Sequence, residues 1–191
     1  MHRALDSQSS YYAYLAKRNK LSLLVRSFFV KDLARHFSGS VLDVGCGIGE
    51  FLGLYDGKSV GLDLNPYLVK HCAGQGGTCC LGLAQGLPFQ SDSFDGVLAS
   101  NVLEHLDDVE AVVADIVRVL KAGGVLVVTV PMDAGFRHDP THVRMLRKAD
   151  LQALARAWRL EVKRIYAYPF CMGWLGKCLY FCELRAVFVK K

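Results

Sequence analysis

Val41-Leu42-Asp43-Val44-Gly45-Cys46-Gly47-Ile48-Gly49 is a short apolar run that breaks into three glycines at alternate positions. The apolar part has the length and β-branched content of a strand covered on both faces. The glycines let the backbone turn tightly at its end and admit a ligand where a Cβ would stand in the way. A dinucleotide fingerprint spaces its glycines GxGxxG and seats a pyrophosphate on the next helix, whereas GxGxG fits a cofactor without phosphate. Further on, Val60-Gly61-Leu62-Asp63 ends a second apolar run in a carboxylate, the group that binds both hydroxyls of a ribose. Together the two runs specify an adenosine site.

Outward from this turn, strands and helices alternate. The pattern predicts a helix over about 49–55, a strand at 59–64, a short helix at 66–72, strands at 78–83 and 94–99, a helix at 107–120 whose acidic start suits its dipole, and a strand at 125–130 after Gly123-Gly124. Five such units imply a doubly wound parallel sheet. Upstream, Leu21, Leu24, Val25, Phe28, Phe29 and Leu33 recur at helical spacing among Lys20, Arg26, Lys31 and Arg35, so an amphipathic helix leads the chain. Downstream come a loop after Pro131, a helix at about 148–158, a strand at 161–168, a helical segment near 175–183 and a last strand at 184–189. With no repeat or linker, one domain is expected over 1–191: an N-terminal helical extension (1–38), a cofactor-binding core (39–131), and an acceptor-side loop with C-terminal strands (132–191).

A hydrophobic content of 52% in 191 residues is enough for a real core, and no low-complexity tract suggests disorder. Residues 1–10 lack the layout of a signal peptide, and charges interrupt the apolar stretch at 21–37, so no transmembrane segment is expected. Seven cysteines without a CxxC pair fit free thiols in a reducing compartment, hence a cytoplasmic protein. Between Gly39 and Phe136 four Lys/Arg face twelve Asp/Glu, a net of −8, so the flanks carry +13 of the overall +5. Basic flanks around an acidic core favour an anionic acceptor.

Joined by Leu87-Pro88-Phe89, Ser93-Phe94-Asp95 and Leu120-Lys121-Ala122-Gly123-Gly124, the glycine turn and Asp63 resemble the small-molecule branch of the class I S-adenosylmethionine-dependent methyltransferases, over about residues 40–131. The resemblance implies an α/β, Rossmann-like, doubly wound and mostly parallel seven-stranded sheet with the last strand antiparallel. It also implies S-adenosylmethionine as cofactor and methyl transfer as the reaction. By the same resemblance Gly45, Cys46, Gly47 and Gly49 lie against the methionine part of the cofactor and Asp43 orients its amino group. Asp63 takes the ribose hydroxyls, Leu64 packs on the adenine, Ala84 and Gln85 flank its edge, and Asn101 stands near the amino-acid end. Leu83 departs from the pattern, because the family usually has there an aspartate that accepts from the adenine amino group.

In open α/β sheets ligands bind beyond the carboxyl ends of the strands. The acceptor is therefore expected among Glu104 and His105 after the fourth strand, the run from Gly135 to Arg144 after the fifth, and Tyr11, Tyr12, Tyr14 and Arg18 at the N-terminus. His142, with Asp139 orienting it in an Asp-x-x-His element that the family often has, and His105 are the candidate catalytic residues. No metal site is expected, since His138 and His142 lack a neighbouring ligand at metal spacing, and Cys171, Cys178 and Cys182 read as buried small hydrophobes on one helix face. The acceptor is expected to be a small or lipid-linked anion met by Lys17, Arg18, Lys20, Arg137, Arg144, Arg147 and Lys148. Nucleic acid is disfavoured, because no basic run interleaved with aromatics marks a groove for a strand. Peripheral membrane contact through the aromatic stretch 166–181 stays open, and so does oligomeric state. Two other readings stay open as well: a noncatalytic member that keeps the fold as a binding or scaffold module, and a nicotinamide-dependent oxidoreductase.

Overall fold

Runs of valine and leucine covered on both faces form the middle of a seven-stranded sheet. The computed structural model describes residues 8–13, 15, 17, 20–55, 57–169 and 182–191, with the side chains of 20–23 left aside. In chain order the elements are α1 (Lys20–Ala34), β1 (Val41–Val44), β2 (Ser59–Asp63), α2 (Pro66–Gly74), β3 (Cys79–Leu81), β4 (Phe94–Ser100), a 3-10 turn (Leu103–His105), α3 (Val109–Val119), β5 (Leu120–Pro131), α4 (Asp133–His138), α5 (Lys148–Ala157), β6 (Leu160–Tyr168) and β7 (Glu183–Lys190). The strand order is β3-β2-β1-β4-β5-β7-β6. The first five strands pair in parallel, and β7 runs antiparallel to both β5 and β6, as the family resemblance implies.

Strand alternation divides the core between the two faces. Leu42, Val97, Leu126 and Val128 join Val112 and Ile116 of α3 and Leu151 of α5 on one side. Val41, Leu98 and Val127 join Val30 and Leu33 of α1 and Phe51 on the other. Because β1 lies between β2 and β4, the strand order reverses there, and the crevice beyond the carboxyl ends of β1 and β4 is where such sheets bind ligands.

Several blocks behind the family resemblance act as latches. Asp95 accepts from the Ser40 N–H and hydroxyl and from Lys121, each at 2.8 Å, which holds its carboxyl well below the usual range. The Leu87-Pro88-Phe89 turn hangs on α3: the Leu87 N–H donates to Asp115, and Arg118 donates to the Phe89 and Leu87 carbonyls at 2.7 and 2.9 Å.

Several elements depart from the sequence expectation. The helix expected at 49–55 is a series of turns, with Gly53 N–H bonded to the Gly49 carbonyl at 3.0 Å. So short a segment, broken by Gly53, cannot repay the cost of nucleating a helix. The glycine pair 123–124 interrupts β5 without ending it: the register against β4 shifts between Phe94 and Gly96, and the strand begins at Leu120. The loop expected after Pro131 begins with α4. The helical segment at 175–183 falls outside the described residues except for 182–183, where Glu183 already belongs to β7. Cys182 is disulfide-bonded, which corrects the expectation of free thiols throughout; Cys46, Cys72, Cys79 and Cys80 are free, and Cys171 and Cys178 lie outside the described residues. Among the described residues no helix is long and apolar enough to cross a membrane.

Two features of the C-terminal strands were not foreseen. Arg185 on β7 is fully buried, donating to Glu183 at 2.6 Å and to Asp32 of α1 at 2.7 Å, with its guanidinium 3.5 Å from the centre of the Tyr168 ring. At the sheet's edge, β6 pairs with β7 alone among the described strands and exposes Glu161, Val162, Lys163 and Arg164 beside a bulge between Val162 and Arg164.

Candidate functional site

The end of β1 and the glycine turn form the floor of the crevice. Gly45, Gly47 and Gly49 all adopt positive φ, at 72°, 56° and 81°, where side chains are strained. Gly45 also lies against Val102, whose Cγ2 would stand 2.5 Å from an added Cβ, whereas Gly47 has no atom within 4 Å of one. Gly45 therefore serves a close approach of the chain after β4, and Gly47 opens a cradle. Cys46 between them is buried; its thiol is pushed up by burial and then by Asp43, so it packs as an inert small hydrophobe.

Asp63, at the end of β2, bridges the two neighbouring loops. Its Oδ2 accepts from the Gly47 N–H at 2.9 Å and its Oδ1 from the Asn65 N–H at 2.8 Å. The carboxylate is 8% exposed, and burial raises its pKa against the lowering effect of those N–H groups. Each oxygen keeps further lone-pair capacity for a pair of hydroxyls. Asp43 is more deeply buried and is raised to about 8, first by burial and then by the charges of Asp63 and Glu50. A bound ammonium would relieve that cost, which the amino group of a methionine moiety fits.

Beyond the ends of β2 and β3, Leu64, Leu81 and Leu83 are more than half exposed, an apolar group beside Asp63 with the character of a platform for a base. Ala84 is half-buried against the core, and Gln85 is exposed in the same loop. Asn101 adopts a left-handed φ of 53° at the end of β4, its N–H bonded to the Thr129 carbonyl at 3.0 Å and its side chain to Glu183. The described part of the N-terminal segment packs on the start of α2. Gln8 accepts from the Asn65 side chain at 2.9 Å, and Tyr12 stacks on Tyr67 and reaches His71 at 3.3 Å. Tyr14 and Arg18 lie outside the described residues.

On the other side of the crevice, the 3-10 turn after β4 and the loop after α4 converge. The Glu104 carbonyl accepts from the Val143 and Arg144 N–H groups at 2.9 and 3.1 Å, which brings His142 beside Glu104 and His105. The two imidazole rings are 4.7 Å apart, and His142 Nε2 is 3.9 Å from a Glu104 carboxylate oxygen. His142 Nδ1 bonds the Phe136 carbonyl at 2.9 Å, and the Asp139 carboxylate holds Thr141 at 2.6 Å; Asp139 is thus tied to Thr141, not to His142 as the sequence suggested. Burial lowers the pKa of His105, favouring its neutral form. The sequence placed Glu104, His105 and His142 on the same side of the crevice, but not the close approach of the Glu104 carboxylate to His142, 38 positions away. Of the cations expected to meet an anion, Arg144 is spent on Glu110 at 3.0 Å through both terminal nitrogens, and Arg147 lies 3.7 Å from Asp133.

Residues 42–128 match the family described as Methyltransferase domain. Among characterised relatives, the tRNA (carboxymethyluridine(34)-5-O)-methyltransferase of Arabidopsis thaliana is 36% identical over 49% of this chain and 24% of its own length. Sterol 24-C-methyltransferase erg6 of Aspergillus fumigatus is 35% identical over 55% of this chain and 32% of its own length. The chain thus spans a third or less of either relative. The crystal structure of an S-adenosylmethionine-dependent methyltransferase from Archaeoglobus fulgidus superposes with a TM-score of 0.77 at 21% identity, covering 88% of this chain and 94% of that one.

Proposed function

We propose that this chain is a class I S-adenosylmethionine-dependent methyltransferase that transfers a methyl group to a small-molecule or lipid-linked acceptor. The observation that carries this reading is Asp63, a buried carboxylate held between the glycine turn and the start of α2 with lone pairs to spare. It accepts from both ribose hydroxyls, while Leu64 and Leu83 cover the adenine and Ala84 and Gln85 flank its edge. Asp43 receives the ammonium, the backbone of Gly45, Cys46, Gly47 and Gly49 follows the methionine chain, and Asn101 closes its amino-acid end. When bound, the cofactor supplies a methyl group already activated by the positive sulfonium. The protein's own task is to align the acceptor and exclude water.

The test is a thermal shift. S-adenosylmethionine and its demethylated product raise the melting temperature, by an amount equivalent to about 2.7 kcal/mol at a hundred times the dissociation constant, and NAD does not. A shift with NAD alone would reinstate an oxidoreductase.

The raised pKa of Asp43 gives this binding a pH dependence. The free carboxyl titrates at about 8, and an ammonium beside it lowers that value in the complex, so binding below pH 8 expels a proton. Affinity therefore climbs as pH rises towards about 8 and falls again above it as the cofactor's own ammonium loses its proton. Calorimetric titrations across that range should show the slope, and Asp43→Asn should flatten it. An identical slope in the variant assigns it to another group.

His142 and His105 form the catalytic acceptor side. Once an acceptor is in hand, His142→Ala should lower turnover by ~10²-fold or more with the cofactor dissociation constant unchanged. Equal turnover at every pH would leave the residue a purely structural role. The acceptor's negative charge is met by Arg137 and Lys148, since Arg144 is taken by Glu110 and Arg147 lies beside Asp133.

A further inference from the structure

The acceptor side of the crevice holds a group of atoms whose hydrogen bonding is incomplete. Glu104 has a side chain only 1% exposed, and both its carboxylate oxygens lack a hydrogen-bond partner. Burying a carboxylate without a partner is among the costlier things a fold can do. Burial is the main cost, to which the Glu183 and Asp139 charges add, and only the residue's own backbone N–H acts against it.

The two histidines face it in a defined state. His142 Nδ1 lies 2.9 Å from the Phe136 carbonyl, which can only accept, so Nδ1 carries the hydrogen and the neutral ring keeps its lone pair on Nε2. That nitrogen lies 3.9 Å from a Glu104 carboxylate oxygen, too far for a hydrogen bond. His105 Nδ1 lies 3.3 Å from the Thr141 carbonyl and 3.1 Å from the Thr141 hydroxyl, whose own hydrogen goes to Asp139 at 2.6 Å. Both neighbours of Nδ1 are thus acceptors, and His105 likewise donates from Nδ1. An imidazole whose other nitrogen is fixed by a backbone carbonyl is the usual setting of a metal ligand.

We propose that Glu104, His105 and His142 bind a first-row transition ion of the zinc class, through one carboxylate and two imidazoles, on the acceptor side of the crevice. One ligand atom from each of the three lies within 4.8 Å of the others. Two ligands each about 2.1 Å from an ion can stand at most about 4.2 Å apart. The 3.9 Å between Glu104 and His142 already satisfies that limit, and the remaining closure is well under an ångström of side-chain rotation. Two nitrogen donors and one oxygen select zinc, cobalt or iron over magnesium and calcium, which prefer all-oxygen shells. Three protein ligands leave positions open for a small molecule. The loop that carries Glu104 follows directly on Val102, which packs against Gly45 of the glycine turn, so those positions border the cofactor crevice. Resting here on the methyltransferase reading, we assign them to an oxygen-bearing acceptor group.

The test is equilibrium dialysis of the full chain against Zn2+ and, separately, Co2+, with bound metal measured by mass spectrometry and cobalt followed by its visible absorption. One ion per chain is expected, undisturbed by millimolar Mg2+. Glu104→Gln, His105→Gln and His142→Gln should each weaken binding by ~100-fold or more, and Thr141→Val, which removes only the hydroxyl that helps orient His105, by ~10-fold. His138→Gln should bind as the wild type does. Circular dichroism and the thermal shift with S-adenosylmethionine, recorded on the same samples, show that each variant is folded. His105→Gln, at a partly exposed position, keeps the test open should Glu104→Gln fail to fold. No bound Zn2+ or Co2+, equal binding by the ligand variants, or displacement by Mg2+ would overturn the site. Because metal is titrated without cofactor or acceptor, the site can stand if the methyltransferase reading fails, and the reverse also holds.

Discussion

Replacing Asp63 with alanine abolishes the thermal response to S-adenosylmethionine and to its demethylated product. Two hydroxyls hydrogen-bonded to one carboxylate are worth about 1.5–3 kcal/mol each, so affinity falls by roughly 10²–10⁴-fold. The change also strips the Gly47 and Asn65 N–H groups of their acceptor, and the free protein should melt lower. Asp63→Asn separates the two effects. Its carbonyl oxygen still accepts from one N–H, so it should recover much of the free protein's stability while leaving the cofactor response weak. Calorimetry on the three proteins reads both quantities. A response to cofactor of wild-type size in the alanine variant would remove Asp63 from the binding site.

A comparably large loss is expected at Arg185, far from any sequence motif. Arg185→Met leaves the buried Glu183 carboxylate without its cation and Asp32 without the partner that fixes α1 to β7. Breaking a buried pair by removing one member costs about 3–5 kcal/mol. Urea unfolding should report that loss. Lysine should restore only part of it, because a single ammonium cannot fork to both carboxylates and lie flat over Tyr168. A change within about 0.5 kcal/mol would mean that the network contributes nothing to stability.

The contrast between these two residues shows what a sequence can and cannot convey. The position of Asp63 is legible because it is set locally: a strand of known polarity ends there, and a glycine turn precedes it at a spacing few other sites share. The parallel order of β1 to β5 is legible for the same reason, since alternation of strand and helix admits few topologies. Arg185 is illegible because its partners lie on α1, on β7 itself and on the neighbouring β6, and nothing in Leu184-Arg185-Ala186 distinguishes a buried arginine from an exposed one. Glu104 could be assigned to the acceptor side, but its contact with His142 could not. Its carboxylate meets His142 only because two loops that leave adjacent strands are stitched together by backbone bonds to its own carbonyl. Counting the His138 to His142 interval looks for ligands within one segment, whereas this cluster is assembled from two. The helix misassigned at 49–55 fails through length, a property that periodicity does not weigh.

The position of β7 between β5 and β6 has a consequence for the order in which the sheet can be completed during synthesis. β6 emerges from the ribosome first, yet the strand it pairs with follows some twenty residues later. At about 5–20 residues per second, β6 waits roughly one to four seconds with its hydrogen-bonding edges unmatched. The charges of Glu161, Lys163 and Arg164 and the adjacent bulge suit that interval, since a charged, kinked strand is a poor template for a neighbouring nascent chain. Arrival of β7 then closes the gap from both sides at once and draws Arg185 under α1, so a strand made late in the chain locks a helix made early.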